Sequence, residues 1–515
     1  MNPQVQSEKF LYSNCAYEGK ITAEETVEMI VPDALPDISN ILETKAICYL
    51  KGKDSDKGSV TISASAAGSV IFLSDEDEHI HKIDFNVPVE FSESCPDITN
   101  DSKIIADVSI KSVETSMINP RKITVRVFCT ATVECFNNGE IEISTDADCA
   151  ETEAKILKSE ESVRVFSEIS EKMYVISDEI RLPAGKPKID EILFSDIKIV
   201  HDDVKSVGTK VIVNGTVLGD IIYSSFDDGR LNCLRTETKF SQIIEMNRTC
   251  ESSSFFIKSA VTGIYLNSDL IAASNEKTVN LEVHIVSQCA CATDKTMSVL
   301  CDVYSPKYKL DVKNKVCQIP AISEPEEAED SAKVSVKTED IAEVVLSYVS
   351  LSSVIAENDG GMLSLTASGT VHVLYNSQDG KCMHSMEYFK QKTVTNIEFT
   401  KYANISYIPD INTSCAIGQG TVEVKLAITY KIIGRSTKNV SMILEAEYNE
   451  EEAVDLSAIP SIIIKKTEKG DNLWELSKNY HSDDALILSI NNCETAEELF
   501  AKKYILLPKY IYNAL

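Results

Sequence analysis

The feature that most constrains this chain is a period-two alternation of apolar and polar residues that recurs three times in the same order. Such a period puts alternate side chains on one face of a strand. Val60, Ile62, Ala64 and Ala66 open the first run, which continues as Val70-Ile71-Phe72. Val211, Val213, Gly215, Val217 and Gly219 open the second, ending Ile221-Ile222-Tyr223. Leu363, Leu365, Ala367 and Gly369 open the third, ending Val371-His372-Val373-Leu374-Tyr375. A polar turn follows each: Asp75-Glu76-Asp77-Glu78, Asp227-Asp228-Gly229 and Gln378-Asp379-Gly380. Each turn leads into another mixed segment, the pattern of a hairpin.

The later halves correspond too. Ile123, Val125, Val127, Cys129 and Ala131 alternate in the first copy; Val279, Leu281, Val283, Ile285 and Ser287 in the second; Val422, Val424, Leu426, Ile428 and Tyr430 in the third. Upstream, Pro36-Asp37-Ile38 and Pro187-Lys188-Ile189 lead into the first two copies, whereas Asp340-Ile341 leads into the third without a proline. Proline fixes a rigid lead-in to a strand, so the third copy should begin differently. Each copy spans about 100 to 110 residues, too long for a solenoid period and enough for its own core.

The expected fold is therefore mainly β: three tandem antiparallel β-sandwich or barrel-like repeats, followed by a small βααβ module. The divisions are 1–138 for an N-terminal segment and the first repeat, 139–181 for a connector, and 182–316 for the second repeat. An acidic linker follows at 317–334, carrying Glu324-Pro325-Glu326-Glu327-Ala328-Glu329-Asp330, then the third repeat at 335–444. A further linker, 445–460, includes the acidic run Glu445 to Glu452, and the last module occupies 461–515. Both acidic runs read as solvated, self-repelling spacers.

Composition narrows the function. With 50 Lys plus Arg against 80 Asp plus Glu the net charge is −30, which repels phosphate backbones and anionic membranes and argues against nucleic-acid binding. No stretch reaches the ~18 apolar residues of a bilayer span, and residues 1–20 show no secretory pattern. The 15 Cys are scattered at no repeated spacing and read as buried reduced thiols, with Cys289 and Cys291 on one strand face.

From residue 461 the pattern changes. Ile462-Ile463-Ile464 is a short strand, Gly470 suits a turn, and Asp471 suits a helix N-cap. Leu473, Leu476 and Tyr480 follow at helical spacing. A second helix fits Asp484 to Ile490, ended by Asn491-Asn492, and Ile505-Leu506-Leu507-Pro508 closes as a strand. Trp474, the single Trp, reads as core of the first helix.

These residues, Gly470 to Ser477 with Tyr480, Asn491 and Ile505 to Pro508, resemble a LysM module. The resemblance implies a shallow groove for N-acetylglucosamine-containing glycan or for a partner, lined by Gly470, Asp471, Asn472 and Leu473 on one side and Ile490 and Asn492 on the other. The chain departs from that family at Ala501-Lys502-Lys503, where a Gly-Gln pair is usual. The repeats, from Val31-Pro32-Asp33-Ala34-Leu35-Pro36-Asp37-Ile38 onward, resemble the SPOCS domain of endospore-forming bacteria. The second copy, with Asn214-Gly215-Thr216-Val217 and Ile222-Tyr223, resembles it best. SPOCS repeats before a terminal LysM are the arrangement of SipL-like spore-envelope proteins, with SpoVID-like proteins as more distant relatives.

No nucleophile, phosphate-loop or zinc-protease motif is present. His79 and His81 read as part of a solvated hairpin. His372 and His384 flank a turn and could face each other, with no third ligand apparent, so no metal site, catalytic residue or cofactor is expected. The reading is a non-enzymatic adaptor of spore-coat assembly. The resemblance implies a place in the mother-cell cytoplasm at the forespore surface and a SpoIVA-type coat-basement ATPase as the partner of the LysM end. The alternative is a protein that binds peptidoglycan or its lipid-linked precursor through the LysM groove, with the β repeats as a stalk; a hydrolase in the repeats is a lower option.

Overall fold

The computed structural model describes the chain except residues 1–2, 76–78, 149–153, 227, 249–252, 269–277, 454–456 and 511–515, and the side chains of 449–453. The first unit contains β1 (Gln4–Ile30), β2 (Asn40–Asp56), β3 (Ser59–Leu73), β4 (Ile80–Ser94), β5 (Lys103–Asn119) and β6 (Lys122–Asp148). One sheet runs β2-β3-β4, and β1-β6-β5 faces it. The alternation of β3 turns Val60, Ile62, Ala64, Ala66 and Val70 inward, and that of β6 turns Ile123, Val125, Val127, Cys129 and Ala131 to meet them in one core. Each large apolar side chain buried there contributes about 1.5–3 kcal/mol.

The same layout occurs twice more. The second unit has β7 (Lys155–Arg181), β8 (Ile189–Val207), β9 (Lys210–Ser225), β10 (Leu231–Glu245), β11 (Ser254–Ser268) and β12 (Thr278–Tyr304). Sheet β8-β9-β10 packs on β7-β12-β11. In the third unit the first strand is split into β13 (Tyr308–Ile322) and β14 (Glu326–Lys337), followed by β15 (Ile341–Asp359), β16 (Met362–Ser377), β17 (Cys382–Glu398), β18 (Asn404–Ile417) and β19 (Thr421–Ala453). Here β15-β16-β17 packs on β14-β19-β18. These are sandwiches: no sheet among the described residues closes into a barrel. No helix there is long and apolar enough to cross a membrane.

In every unit the first strand pairs antiparallel with the last, and the pair outruns the sandwich as a two-stranded ribbon. An extra residue marks the change of role. Between Cys15 and Tyr17 the register of β1 against β6 shifts by one. The inward set of β1 thereby changes from odd positions such as Ile21 and Val27 to even ones, Phe10 and Tyr12. A one-residue bulge reverses the parity of a strand. A shift at Cys291/Ala292 does the same between β12 and β7, and the break between β13 and β14 takes its place in the third unit. The three ribbons bury Phe10, Ile143, Val163, Val165, Met297, Val299, Ile319, Val440 and Met442 together. At the ribbon base Phe166 meets Phe136 and Phe256 edge to face, at 5.5 and 5.6 Å.

The sandwiches also close a ring. β3 contacts β8, β10 contacts β15, and β17 returns to β2. At its centre Ile71, Ile222 and Leu374, which hold the same register position in β3, β9 and β16, share one cluster. Arg435 of the third unit, half-buried in the crevice between first and third, pairs with Glu18 and with Glu134 at 2.6 Å.

Several sequence expectations need correction. The acidic stretch read as a linker, 317–334, is strand: β13 runs to Ile322, and Glu326–Lys337 pairs with Thr421–Ile432. Glu327 and Glu329 point outward, while Ala328 and Ala332 pack inward on the face they share with Glu326 and Asp330, which accept from Tyr402 and from Gln391 and Thr393 there, so the apolar face is weak and the charges mask it. The connector expected at 139–181 holds strand, the end of β6 and the whole of β7, whose Tyr174, Ile176 and Ile180 enter the second sandwich core, and Glu445 to Glu452 belongs to β19. The acidic turn residues Glu76 to Glu78 and Asp227 lie outside the described residues. The third unit does begin differently, with Asp340 at φ 48°. Cys289 and Cys291 share one core, and the described cysteines are free thiols.

At Gly369 a Cβ would collide with the Ser350 carbonyl, because β15 bulges there between Leu351 and Ser353. At Gly52 a Cβ would meet only ordinary contacts, the nearest at 3.7 Å. Gly369→Ala should therefore lower stability by roughly 1–3 kcal/mol, seen as a lower urea midpoint at unchanged slope. Gly52→Ala should leave the midpoint nearly where it was.

Candidate functional site

The chain ends in a small element: β20 (Ile462–Lys466), α1 (Leu473–Asn479), α2 (Asp484–Ile490), α3 (Ala496–Phe500) and β21 (Tyr504–Pro508). β20 and β21 pair antiparallel, and Leu476, Ile487, Cys493, Leu499, Ile505 and Leu507 form its core. The second helix has the expected bounds; the third, α3, was not expected. Thr495 caps it by accepting from the Glu498 amide at 3.3 Å, a capping signal available in the sequence.

The residues expected to line a groove sit at the surface. Gly470, Asn472 and Asn492 are exposed, and Asp471, Leu473 and Ile490 are half-buried. Gly470 and Asn492 both take positive φ, 104° and 51°. The N-cap is Asn472 rather than Asp471: its side chain accepts the Trp474 amide at 2.8 Å. Asp471 instead accepts the Glu468 amide at 2.8 Å and pairs with Lys465 at 2.7 Å. Lys465 holds its carboxyl below the usual range. Asn491 ties α2 to β21, donating to Ile487 O and Leu506 O at 2.7 Å and accepting from the Leu506 amide at 2.8 Å. The first loop is laced to the last through Thr467, which donates to Lys502 O at 2.6 Å. Lys502 and Lys503, where the sequence departs from the LysM pattern, are exposed.

Trp474 has a role outside the module core. Its indole N–H donates to Asp302 of β12 at 2.7 Å, and the ring meets Tyr304 edge to face at 4.8 Å. Lys478, one turn on, pairs with Asp302 at 2.7 Å, and the Tyr304 hydroxyl donates to Ser482 O at 3.1 Å. Lys155 of β7 adds an ion pair to Asp483 at 2.6 Å. The single Trp therefore docks the module on the ribbon of the second unit, a tertiary contact that helical spacing alone cannot reveal.

A second constellation lies where the third sandwich returns to the first. His372 and His384 do face each other across the β16–β17 hairpin, Nδ1 to Nε2 at 3.1 Å. The third group, missed from sequence because it stands more than 300 residues away, is Glu43 of β2. Its Oε2 lies 2.9 Å from His384 Nε2 and 3.9 Å from His372 Nδ1, while Oε1 accepts the Thr44 amide at 2.9 Å. Tyr348 lies parallel to His372 at 4.6 Å, and Lys45, above the Tyr348 ring, pairs with Asp196 at 3.3 Å. Burial pushes His372 down to about 4, Glu43 pulling the other way. Burial works to raise Glu43, but His384, His372 and the Thr44 amide outweigh it and hold the carboxyl below its usual value. The His79 and His81 pair is separate, with His81 against the Phe72 ring at 5.5 Å.

The docking contact has a direct readout. Asp302→Ala removes a charged acceptor, typically worth about 1.5–3 kcal/mol, and should shift the Trp474 emission to the red and raise its quenching by iodide. An unchanged spectrum would contradict the docked arrangement.

Residues 188–268 match the family model described as SipL, SPOCS domain. No curated protein and no solved structure matches the chain. The matched segment runs from the lead-in of β8 to the end of β11, so it holds the whole β8-β9-β10 sheet and one strand of the facing sheet. It is also the copy whose residues most resemble a SPOCS domain in sequence, and the match supports a sporulation-related protein.

Proposed function

We propose that this chain is a non-enzymatic adaptor in the assembly of the bacterial endospore envelope, acting in the mother-cell cytoplasm at the forespore surface. The observation that carries this reading is the SPOCS match on residues 188–268. Two features of the fold support it. The C-terminal element, read as a LysM module, is anchored through Trp474 and Lys478 and keeps Asn472 and Asn492 exposed. The sheet edge at β18, whose ladder partner is β19, also offers backbone for strand addition by a partner. In this reading the module docks a SpoIVA-type coat-basement ATPase.

Capture of that ATPase by the full-length chain tests the proposal. A triple variant, Asp471→Ala with Asn472→Ala and Asn492→Ala, should weaken capture at least tenfold, equivalent to about 1.4 kcal/mol, with Trp474 emission unchanged to show that the module stays docked. Purified muropeptides should bind neither protein. Muropeptide binding that the triple variant abolishes would move the chain to the glycan-binding class.

A further inference from the structure

Three like interfaces join the sandwiches into a ring, and one of them is chemically different. The position that Glu43 holds opposite Ile71 in β2 is held by Phe194 opposite Ile222 in β8, and by Leu346 opposite Leu374 in β15. The His372 position corresponds to Ser69 and Asp220, and the His384 position to Lys82 and Cys233, by the same registers. Packing at the other two interfaces is thus completed by an apolar side chain. A carboxylate buried to 8 % exposure costs solvation and needs compensation, so the fold alone gives no reason for Glu43.

The Thr44 amide and the Tyr348 hydroxyl bond the Glu43 carboxylate, which leaves its Oε2 to the two histidines. Their rings are parallel within 3° with centroids 5.3 Å apart and facing nitrogens 3.1 Å apart. One proton between those nitrogens satisfies the pair. His384 Nε2 then has none for Glu43 Oε2, which is buried and makes no hydrogen bond of acceptable geometry despite lying 2.9 Å from that nitrogen. Three lone pairs converge on one place, which a single proton on one axis cannot serve.

We propose that Glu43, His372 and His384 form a divalent-metal site of zinc type that clasps the third sandwich to the first. A tetrahedral zinc with bonds of about 2.0–2.1 Å holds its ligand atoms about 3.4 Å apart. The three separations here, 2.9, 3.1 and 3.9 Å, straddle that value. Two imidazoles and a carboxylate are a zinc donor set, with one tetrahedral position left for solvent. The surroundings suit it: the Thr44 amide orients the carboxylate through Oε1, and Tyr348 fixes the plane of His372. The neighbouring charge of Lys45 is offset by Asp196. One ligand comes from β2 and two from the β16–β17 hairpin, so binding joins segments far apart in sequence.

The test uses the full chain, freed of metal with a chelator and titrated with Zn2+ against a chromophoric competitor. One equivalent should bind, and the thermal midpoint should rise and fall again on adding chelator. Glu43→Gln, which keeps the shape of the side chain, and His384→Asn should each weaken binding by at least the roughly 10- to 100-fold that loss of an outer-shell partner costs. His81→Asn, in the separate pair, should leave affinity unchanged. Co2+ gives a reading independent of stability, because a site of this kind absorbs visibly and Glu43→Gln should alter the band. Absence of stoichiometric binding, or equal affinity in wild type, Glu43→Gln and His384→Asn, overturns the proposal.

Discussion

The structure depends on the pairing of each unit's first strand with its last. β1 meets β6 along nearly its whole length, from Gln4 opposite Asp148 to Ile30 opposite Lys122. This pairing supplies the second sheet of the sandwich, without which β2-β3-β4 would leave its apolar face in water. It also extends the ribbon on which the units meet. Because the paired residues lie far apart in sequence, the closure entropy must be met before their contacts reward it, and pairings of this kind slow folding.

The bulge at Ala16 shows how one strand serves two cores. An uninterrupted alternation would hold one parity throughout, with Phe10 on the face opposite Ile21. The additional residue instead places both toward apolar partners, Ile21 in the sandwich and Phe10 among the ribbons. The ribbons then give the last module something to rest on: Asp302 and Tyr304 lie at the end of β12, where its pairing with β7 runs out at Lys155.

Much of this was legible in the sequence. Val60 to Phe72, Val211 to Tyr223 and Leu363 to Tyr375 alternate because one face of each strand is buried, and those runs are β3, β9 and β16. The ribbons were harder to read. Their acidic residues, such as Glu326, Glu329 and Glu445, dominate the composition, while apolar residues such as Ala328 and Ala332 contribute little contrast. Asp471 suits a cap by residue type, as Asn472 does; the backbone places that duty on Asn472. Glu43 was invisible as a partner of His372 and His384, since only the closing of the ring brings β2 to β17.

First-with-last pairing also bears on how the chain is made. β1 has emerged in full at Ile30, yet its partner begins at Lys122. At synthesis rates of about 5–20 residues per second, the strand waits roughly 5–20 s. Three similar first strands in one chain invite exchange, each able to take another's partner. The order of synthesis works against that: when β6 leaves the ribosome β7 has not yet emerged, and when β12 leaves, β1 is already paired. Vectorial synthesis thus gives each closing strand its own opening strand as the one still waiting, a selection that refolding of the complete chain from denaturant lacks.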